Sequence, residues 1–171
     1  MIQMRAETGK IDEFVDALVG GWRSWNSHPK MNKALQMLRK QKHNLMLMET
    51  DDEIYGVIKS QRKNADLLYA VKLRSDGTFL CGTQNLRRCG GLRGYGPCKH
   101  LFLLALVLIA NGSSKEKFLT WYQRASNVSY RITAQDKEDM RTVFEEYAGV
   151  LTGDVEWREI ETLPEDYLAL S

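Results

Sequence analysis

The sequence contains no apolar run long enough to cross a membrane. Its longest uninterrupted run, residues 101–110, has ten residues, whereas a membrane-spanning helix needs about 20. The N-terminus also lacks the charged and then apolar pattern that is typical of a secretory signal peptide. With an ordinary composition of 43% hydrophobic and 27% charged residues, these absences predict a soluble, cytoplasmic protein.

The patterns that usually identify an enzyme are missing as well. The sequence has no glycine-rich phosphate-binding loop, no nucleophile paired with a general base, and no paired carboxylates in a predicted cleft. It also has no internal repeat and no low-complexity segment. We therefore expect a protein that is not an enzyme.

Cysteine and histidine are scarce, with three of each in 171 residues. All three cysteines and one histidine nevertheless fall within twenty residues, as Cys81, Cys89, Cys98 and His100. Zinc favours thiolate and imidazole ligands, and a structural zinc site is usually closed by four of them. The cluster therefore predicts one tetrahedral structural Zn²⁺ site.

Three other interpretations of these residues are less favoured. An odd number of cysteines in a chain without a signal peptide argues against a disulfide. A catalytic pair of Cys98 and His100 would have no orienting acid, and residues two apart at a helix start point in different directions. The remaining alternative is three inert buried cysteines with a core histidine. Against it stands the Cys-x-His pattern directly after Gly94, Gly96 and Pro97.

The segments around the four residues predict a hairpin, a loop and a helix. A turn at Gly77 separates two strands, and Cys81 lies near the end of the second one. Residues 101–110 predict a buried helix that ends at Gly112. Cys98 would lie at the N-terminus of this helix, where the helix dipole favours a thiolate. Bound metal would then replace part of the core that so small a unit cannot build.

These segments resemble the SWIM zinc finger, whose pattern is Cys-x-Cys, a variable spacer and then Cys-x-His. The resemblance covers about residues 54–112 and lies in residues 56–60, residues 69–73, the Gly77 turn and residues 96–101. Cys81 stands alone where the family has a close pair, and Cys89 is the only candidate for the missing ligand. The resemblance implies a role in protein assembly or DNA contact, often beside an ATPase partner.

Periodic apolar residues on both flanks predict helices around the sheet. We expect an α+β protein with a small antiparallel sheet and a zinc-nucleated hairpin-helix module, flanked by N- and C-terminal helices. The predicted flanking helices cover residues 9–25, 30–43, 113–126 and 134–150, and the strands residues 44–49, 53–60, 69–73 and 78–82. One compact domain would contain an N-terminal helical segment (1–43), the strands with the SWIM-like module (44–112), C-terminal helices (113–151) and an acidic tail (152–171).

Finer expectations concern the ends and inner faces of the flanking helices. Pro29 is expected to open the second helix, and Ser113 to cap the helix at 113–126 through a capping box with Glu116. The inner faces are predicted to carry Ile11, Phe14, Leu18, Trp22 and Trp25 in the first helix, and Met140, Val143, Phe144, Tyr147 and Leu151 in the last.

Charge is unevenly distributed along the chain. The last twenty residues contain six acids and one arginine, which leaves 23 basic and 16 acidic residues in the first 151. The body is therefore basic and the tail acidic. Five lysines and arginines line the outer face of the predicted helix at residues 30–43. Such a row is typical of a solvated face unless it meets a second basic patch.

The residues best suited to bind a partner lie in and around the glycine-rich loop between Cys89 and Cys98, and are Arg87, Arg88, Arg93, Tyr95 and Lys99. The cations could neutralise a zinc–thiolate centre, contact phosphates while Tyr95 stacks on a base, or bind an acidic protein surface. We expect a non-enzymatic SWIM-type interaction subunit that docks onto a protein partner in a larger assembly, such as an ATPase complex. The alternative is direct DNA or RNA binding through this loop.

Overall fold

A computed structural model describes residues 2–21, 27–62 and 66–152 of the chain. Within these residues the protein forms five α-helices and one four-stranded antiparallel sheet. The elements are α1 (Ile2–Gly21), α2 (Ser27–Lys40), β1 (Asn44–Glu49), β2 (Glu53–Lys59), β3 (Leu68–Arg74), β4 (Phe79–Thr83), α3 (Lys99–Ala110), α4 (Lys115–Ala125) and α5 (Ala134–Thr152). The predicted α+β class, a small sheet flanked by helices, is confirmed.

The sheet is a meander in the order β1-β2-β3-β4, and each strand is antiparallel to the next. Gly56 in β2 lies opposite Val71 in β3, which lies opposite Cys81 in β4. Only glycine fits at position 56, because a Cβ there would lie 2.1 Å from the carbonyl oxygen of Met46. Directly opposed residues share one face of a sheet, so this register places Cys81 on the face that contacts α3.

The central helix of the fold is α3. Residues 100–109 are all buried, because α3 lies between the sheet on one side and α1 and α2 on the other. Tyr122 of α4 closes this layer, with its ring stacked on that of Phe102 at 5.6 Å between centroids. Its hydroxyl donates a hydrogen bond to the carbonyl oxygen of Leu101. Burial on every side explains why the helix is apolar all round.

The other face of the sheet is covered by α5. Met140 packs so closely on Gly82 that a Cβ at position 82 would lie 2.5 Å from its sulfur atom. At the start of α5, Asp139 accepts a hydrogen bond from the guanidinium group of Arg74. The sheet is therefore enclosed between two helical layers, with the core on both of its faces.

The predicted inner faces are correct for most of the residues that can be compared. In α1, Phe14 and Leu18 are buried and Ile11 is partly buried, whereas Trp22 and Trp25 lie outside the described residues; in α5, Met140 and Val143 are buried and Phe144 and Tyr147 are partly buried. The prediction for Leu151 was wrong, since its side chain is 68% exposed. Val150 is buried instead. It follows Val143 by about two helical turns, and the next residue is rotated by about 100° away from that face.

Several helix ends differ from the predicted ones. The first helix begins at Ile2 rather than residue 9, and α2 begins at Ser27, so Pro29 is its third residue rather than its first. Proline is tolerated there because the amides of the first turn have no partner within the helix. The cap of α4 is Ser114, whose hydroxyl accepts a hydrogen bond from the amide of Lys117.

Ser113, the predicted cap, instead donates its hydroxyl hydrogen bond to Glu49 of β1. Gly112 ends α3 with a φ of +96°, in the left-handed conformation that was predicted for this stop. The most apolar helix, α3, has 12 residues. In the described part of the chain, no helix combines the length and apolar character that a membrane span needs. The predicted acidic tail lies outside the described residues from residue 153 onward.

Candidate metal centre

A tight turn after β4 brings Cys89 alongside Cys81. The amide of Leu86 donates to the carbonyl of Thr83 at 2.8 Å, and Leu86 has a φ of +58°, which reverses the chain. The returning segment then pairs with β4, and the amide of Cys89 donates to the carbonyl of Cys81 at 2.9 Å. Seven intervening residues therefore still leave the two thiols side by side, although the close Cys-x-Cys pair is missing.

The other two candidate ligands are held by the start of α3. Cys98 is the N-terminal cap residue, and its carbonyl accepts a hydrogen bond from the amide of Phe102 at 3.1 Å. The preceding loop reaches this point through Gly94 and Gly96, whose φ angles of +93° and +79° favour glycine. The amide of Gly96 donates to the carbonyl of Val128 at 2.9 Å, which fastens the loop to the segment after α4.

The ligand atoms of the four side chains converge in one buried cluster. Nδ1 of His100 lies 3.7 Å from Sγ of Cys81, 3.4 Å from Sγ of Cys89 and 3.8 Å from Sγ of Cys98. All four atoms lie within 4.8 Å of one another. For comparison, with Zn–S bonds of about 2.3 Å, a Zn–N bond of about 2.0 Å and tetrahedral angles, sulfur and nitrogen lie about 3.5 Å apart. The cluster could therefore hold a metal ion, and its donors fit zinc.

Neighbouring groups fix the orientation of these ligands. The ring of Tyr69 stacks on that of His100, with 4.0 Å between centroids and 21° between planes. The amide of Gly91 donates to Sγ of Cys89 at 3.4 Å. A Cβ at position 91 would lie 3.0 Å from Cβ of Cys98 and 3.6 Å from Sγ of Cys89. Groups of this kind, which hold the ligands rather than the metal, usually tune metal affinity.

The electrostatics of the cluster also favour a cation. Burial raises the pKa of the Cys81 and Cys98 thiols well above the usual range. Hydrogen bonds from Cys81 and Cys98 hold the pKa of Cys89 far below its usual value. A divalent cation would replace the thiol protons, and three thiolates on one such cation would carry a net charge near minus one.

The predicted partner-binding residues differ in how far their side chains are exposed. The side chains of Arg87, Arg88 and Arg93 are exposed, and Tyr95 is 68% exposed. Lys99 is half-buried instead, and its ammonium group donates to Oε1 of Gln61 at 2.7 Å. The four loop side chains therefore face solvent, whereas Lys99 is turned toward the connection between β2 and β3.

Two neighbours of the cluster were not anticipated from the sequence. Tyr69 could have been identified, because it lies on the same face of β3 as Val71, the residue opposite Cys81. Gln61 had no such signal, since its contact with Lys99 depends on how α3 packs on the sheet. Comparison with protein-family models finds no match, and comparisons with curated proteins and with solved structures find no significant match either.

Proposed function

We propose that the cluster of Cys81, Cys89, Cys98 and His100 binds one structural Zn²⁺ and that the chain is a non-enzymatic interaction module. The observation that carries this proposal is the closed donor set. The three sulfur atoms lie 3.4–3.8 Å from Nδ1 of His100, and the four residues are at most 3% exposed. Catalytic zinc keeps one position open for water or substrate, whereas structural zinc is enclosed by four protein ligands.

We propose further that the chain is a module of the SWIM zinc-finger type, and the same site supports this. The order of elements is a hairpin with one cysteine in its second strand, a loop, and a helix that opens with Cys-x-His. The departure from the family pattern, Cys89 in place of a close second cysteine, is compensated by the turn at Leu86. The sequence resemblance then suggests docking within a larger assembly, such as one that contains an ATPase.

The surface proposed to meet the partner is the arginine loop, defined as Arg87, Arg88, Arg93 and Tyr95. Its side chains are exposed, and its backbone is held by the metal ligands on either side and by the bond from Gly96 to Val128. Arginine and tyrosine are enriched among residues that contribute most to protein–protein binding. A protein partner with an acidic surface and a pocket for Tyr95 would complement this loop.

A second candidate function uses the same loop to bind DNA or RNA. It is favoured by the exposure of Tyr95 beside several cations, because an exposed aromatic ring can stack on a base while arginines contact phosphates. Added salt distinguishes the two candidates, since phosphate contacts weaken steeply as salt rises.

The test places a photo-crosslinking benzophenone amino acid at position 95, with position 137 on α5 as the control. We expect a protein crosslink from position 95 only, and its loss in the variant Arg87→Ala with Arg93→Ala, which should keep its metal and its melting temperature. A crosslink to nucleic acid would select the second candidate. Equal crosslinking from both positions, or no effect of the arginine substitutions, would contradict docking through the arginine loop.

A further inference from the structure

Positive charges are paired with carboxylates at one end of the sheet. In the described part of the chain, five cations form ion pairs with carboxylates: Lys72 and Arg74 with Glu53, Arg74 with Asp139, Lys117 with Glu49, Lys115 with Glu13 and Glu116, and Arg141 with Glu138. Glu49, Glu53 and Arg74 lie at strand ends on one side of the sheet, which we call the ion-pair end. The opposite end, which holds the metal cluster, is called the metal end.

The metal end contains cations without such partners. Lys33 and Lys40 are exposed on α2, seven residues and therefore about 10 Å apart along the helix. Arg62, just after β2, is exposed, and Lys99 is the first residue of α3. Among the residues for which the structure gives side chains, none of these four cations forms an ion pair with a carboxylate. Lys99 instead donates to the neutral amide of Gln61.

Contacts between elements bring these four cations to one end of the fold. The bond from Lys99 to Gln61 places the start of α3 beside Arg62, the next residue in the chain, and α2, which carries Lys33 and Lys40, packs against α3. Lys40 lies three residues before His43, whose Nδ1 lies 3.2 Å from the carbonyl oxygen of Lys59 at the end of β2. The helix row and the start of α3 therefore form one basic surface.

A centre of three thiolates and one divalent cation would carry a net charge near minus one, which is too small to offset four cations. The cation with the cysteines as its main charged neighbours is Lys30, which is half-buried. Burial lowers the pKa of Lys30, and the nearby charges of Cys98 and Cys89 oppose that shift. Lys30 can thus offset the negative metal centre, while the surface beyond it keeps its excess positive charge.

We propose that Lys33, Lys40, Arg62 and Lys99 form a phosphate-binding face for the backbone of nucleic acid. The two exposed lysines on α2 span the rise of about three nucleotides along one strand of a duplex. None of these side chains is shaped to read bases, so binding depends on the backbone and not on sequence. This face is separate from the arginine loop, and the inference does not depend on the function proposed for that loop.

The experiment measures fluorescence anisotropy of a fluorescein-labelled 20-base-pair duplex of arbitrary sequence, titrated with the full chain between 50 and 300 mM NaCl. Four phosphate contacts predict a slope of about −3.6 in a plot of log affinity against log salt. The variant Lys33→Gln with Lys40→Gln should lose about tenfold in affinity per contact at 0.1 M salt, and its slope should fall to about −1.8. Metal content and melting temperature should stay unchanged, because both side chains are exposed.

The matched control is Lys137→Gln with Arg141→Gln, which removes the same charge from exposed positions on α5. We expect this control, and Arg87→Ala with Arg93→Ala, to keep the affinity within about threefold of the unmodified chain. An equal loss in the α5 control would assign binding to net charge alone, and loss only in the arginine-loop variant would assign it to that loop. No binding at 50 mM salt, or equal binding of labelled polyglutamate, would also overturn the phosphate-binding face.

Discussion

The two ends of the sheet are stabilised in different ways. At the ion-pair end, the carboxylate of Glu53 lies 3.4 Å from the ammonium group of Lys72 and 4.0 Å from the guanidinium group of Arg74. The carboxylate of Glu49 lies 3.3 Å from the ammonium group of Lys117. At the metal end, three thiols and an imidazole converge, and the nearby cations lack carboxylate partners among the described side chains. One end therefore satisfies its charges within the chain, whereas the other has a buried cluster that could hold a metal ion and the exposed cations proposed to bind phosphate.

This contrast separates stability from binding. Exposed or half-exposed ion pairs usually contribute at most about 1 kcal/mol each, so the ion-pair end depends mainly on its apolar core. A structural zinc site, in contrast, can contribute much of the folding free energy of a small module, because the site does not exist in the unfolded chain. Loss of metal should therefore affect the protein far more than loss of any one ion pair.

The largest expected effect comes from removing a ligand at the metal end. Cys98→Ala and His100→Ala should each lose the metal and lower the free energy of unfolding by several kcal/mol. A loss of this size is typical of substitutions that break a buried interaction network. Melting followed by circular dichroism, together with elemental analysis, measures both losses. With chelator present, the unmodified chain should melt close to the variants. A variant that melts at the unmodified temperature would contradict a structural metal.

A backbone clash away from the metal should destabilise the protein without loss of metal binding. Gly56→Ala would place a Cβ within 2.1 Å of the carbonyl oxygen of Met46, so the backbone of β1 or β2 must move. Overpacking of this kind costs about 1–3 kcal/mol or more. Urea unfolding should show this loss while elemental analysis still finds one metal per chain. Loss of metal at an unchanged free energy of unfolding would show that the two regions are not separable.

A smaller substitution beside the cluster should act chiefly on the metal. Gly91→Ala would bring a Cβ to 3.0 Å from Cβ of Cys98, and competition with a chromophoric chelator should show metal affinity lowered by about tenfold. Gly90→Ala is the matched control, because a Cβ at position 90 would have nothing within 4 Å. Equal affinities for the two variants would mean that Gly91 does not shape the site.

Substitution of a single charged residue should have a smaller effect than either glycine substitution, and its effect on the free energy of unfolding should differ between the two ends of the sheet. Asp139→Asn removes the charge that pairs with Arg74 and should cost at most about 1 kcal/mol, with a smaller loss in 1 M salt. Arg88→Gln at the metal end should change the free energy of unfolding by less than about 0.5 kcal/mol, since no carboxylate on the described part of the chain pairs with it. A larger loss of free energy of unfolding for Arg88→Gln than for Asp139→Asn would contradict the difference between the two ends.

The smallest expected effect is the pH dependence of stability that Asp76 contributes. Hydrogen bonds from the hydroxyl and amide of Thr78 lower the pKa of Asp76 in the β3–β4 turn. A carboxylate with a lowered folded-state pKa stabilises the protein above its unfolded pKa of about 4, and this contribution is lost as pH falls through the folded-state value. Asp76→Asn should thus reduce the free energy of unfolding slightly at pH 6 and less at pH 3. A larger deficit at pH 3 would contradict this assignment.

Much of the metal end follows from local sequence. The spacing of Cys98 and His100 before an apolar run predicted a helix that opens with two ligands, and α3 begins at Lys99 between them. The turn at Gly77 and the position of Cys81 in β4 also follow from residues close in the chain. Such features are predictable because glycine conformation, helix starts and strand alternation are decided within a few residues.

The remaining features depend on contacts between distant segments. Ser113 and Ser114 have the same capping chemistry, and only the position of Glu49 across the fold recruits Ser113 away from the helix. Lys33 on α2 and Lys99 on α3 likewise come to the same end of the fold because α2 packs against α3. The sequence showed a basic row on α2 but not the second basic patch that it meets, so the phosphate-binding face could be inferred only from the fold.

The most direct test of the metal centre is X-ray absorption at the zinc edge, on protein purified without added metal. The geometry predicts one zinc per chain with three sulfur neighbours at about 2.3 Å and one nitrogen at about 2.0 Å. It also predicts two sulfur neighbours, or no metal at all, in Cys89→Ser. No zinc in the unmodified chain, or a shell with fewer than three sulfurs and an added oxygen, would contradict a closed structural site formed by Cys81, Cys89, Cys98 and His100.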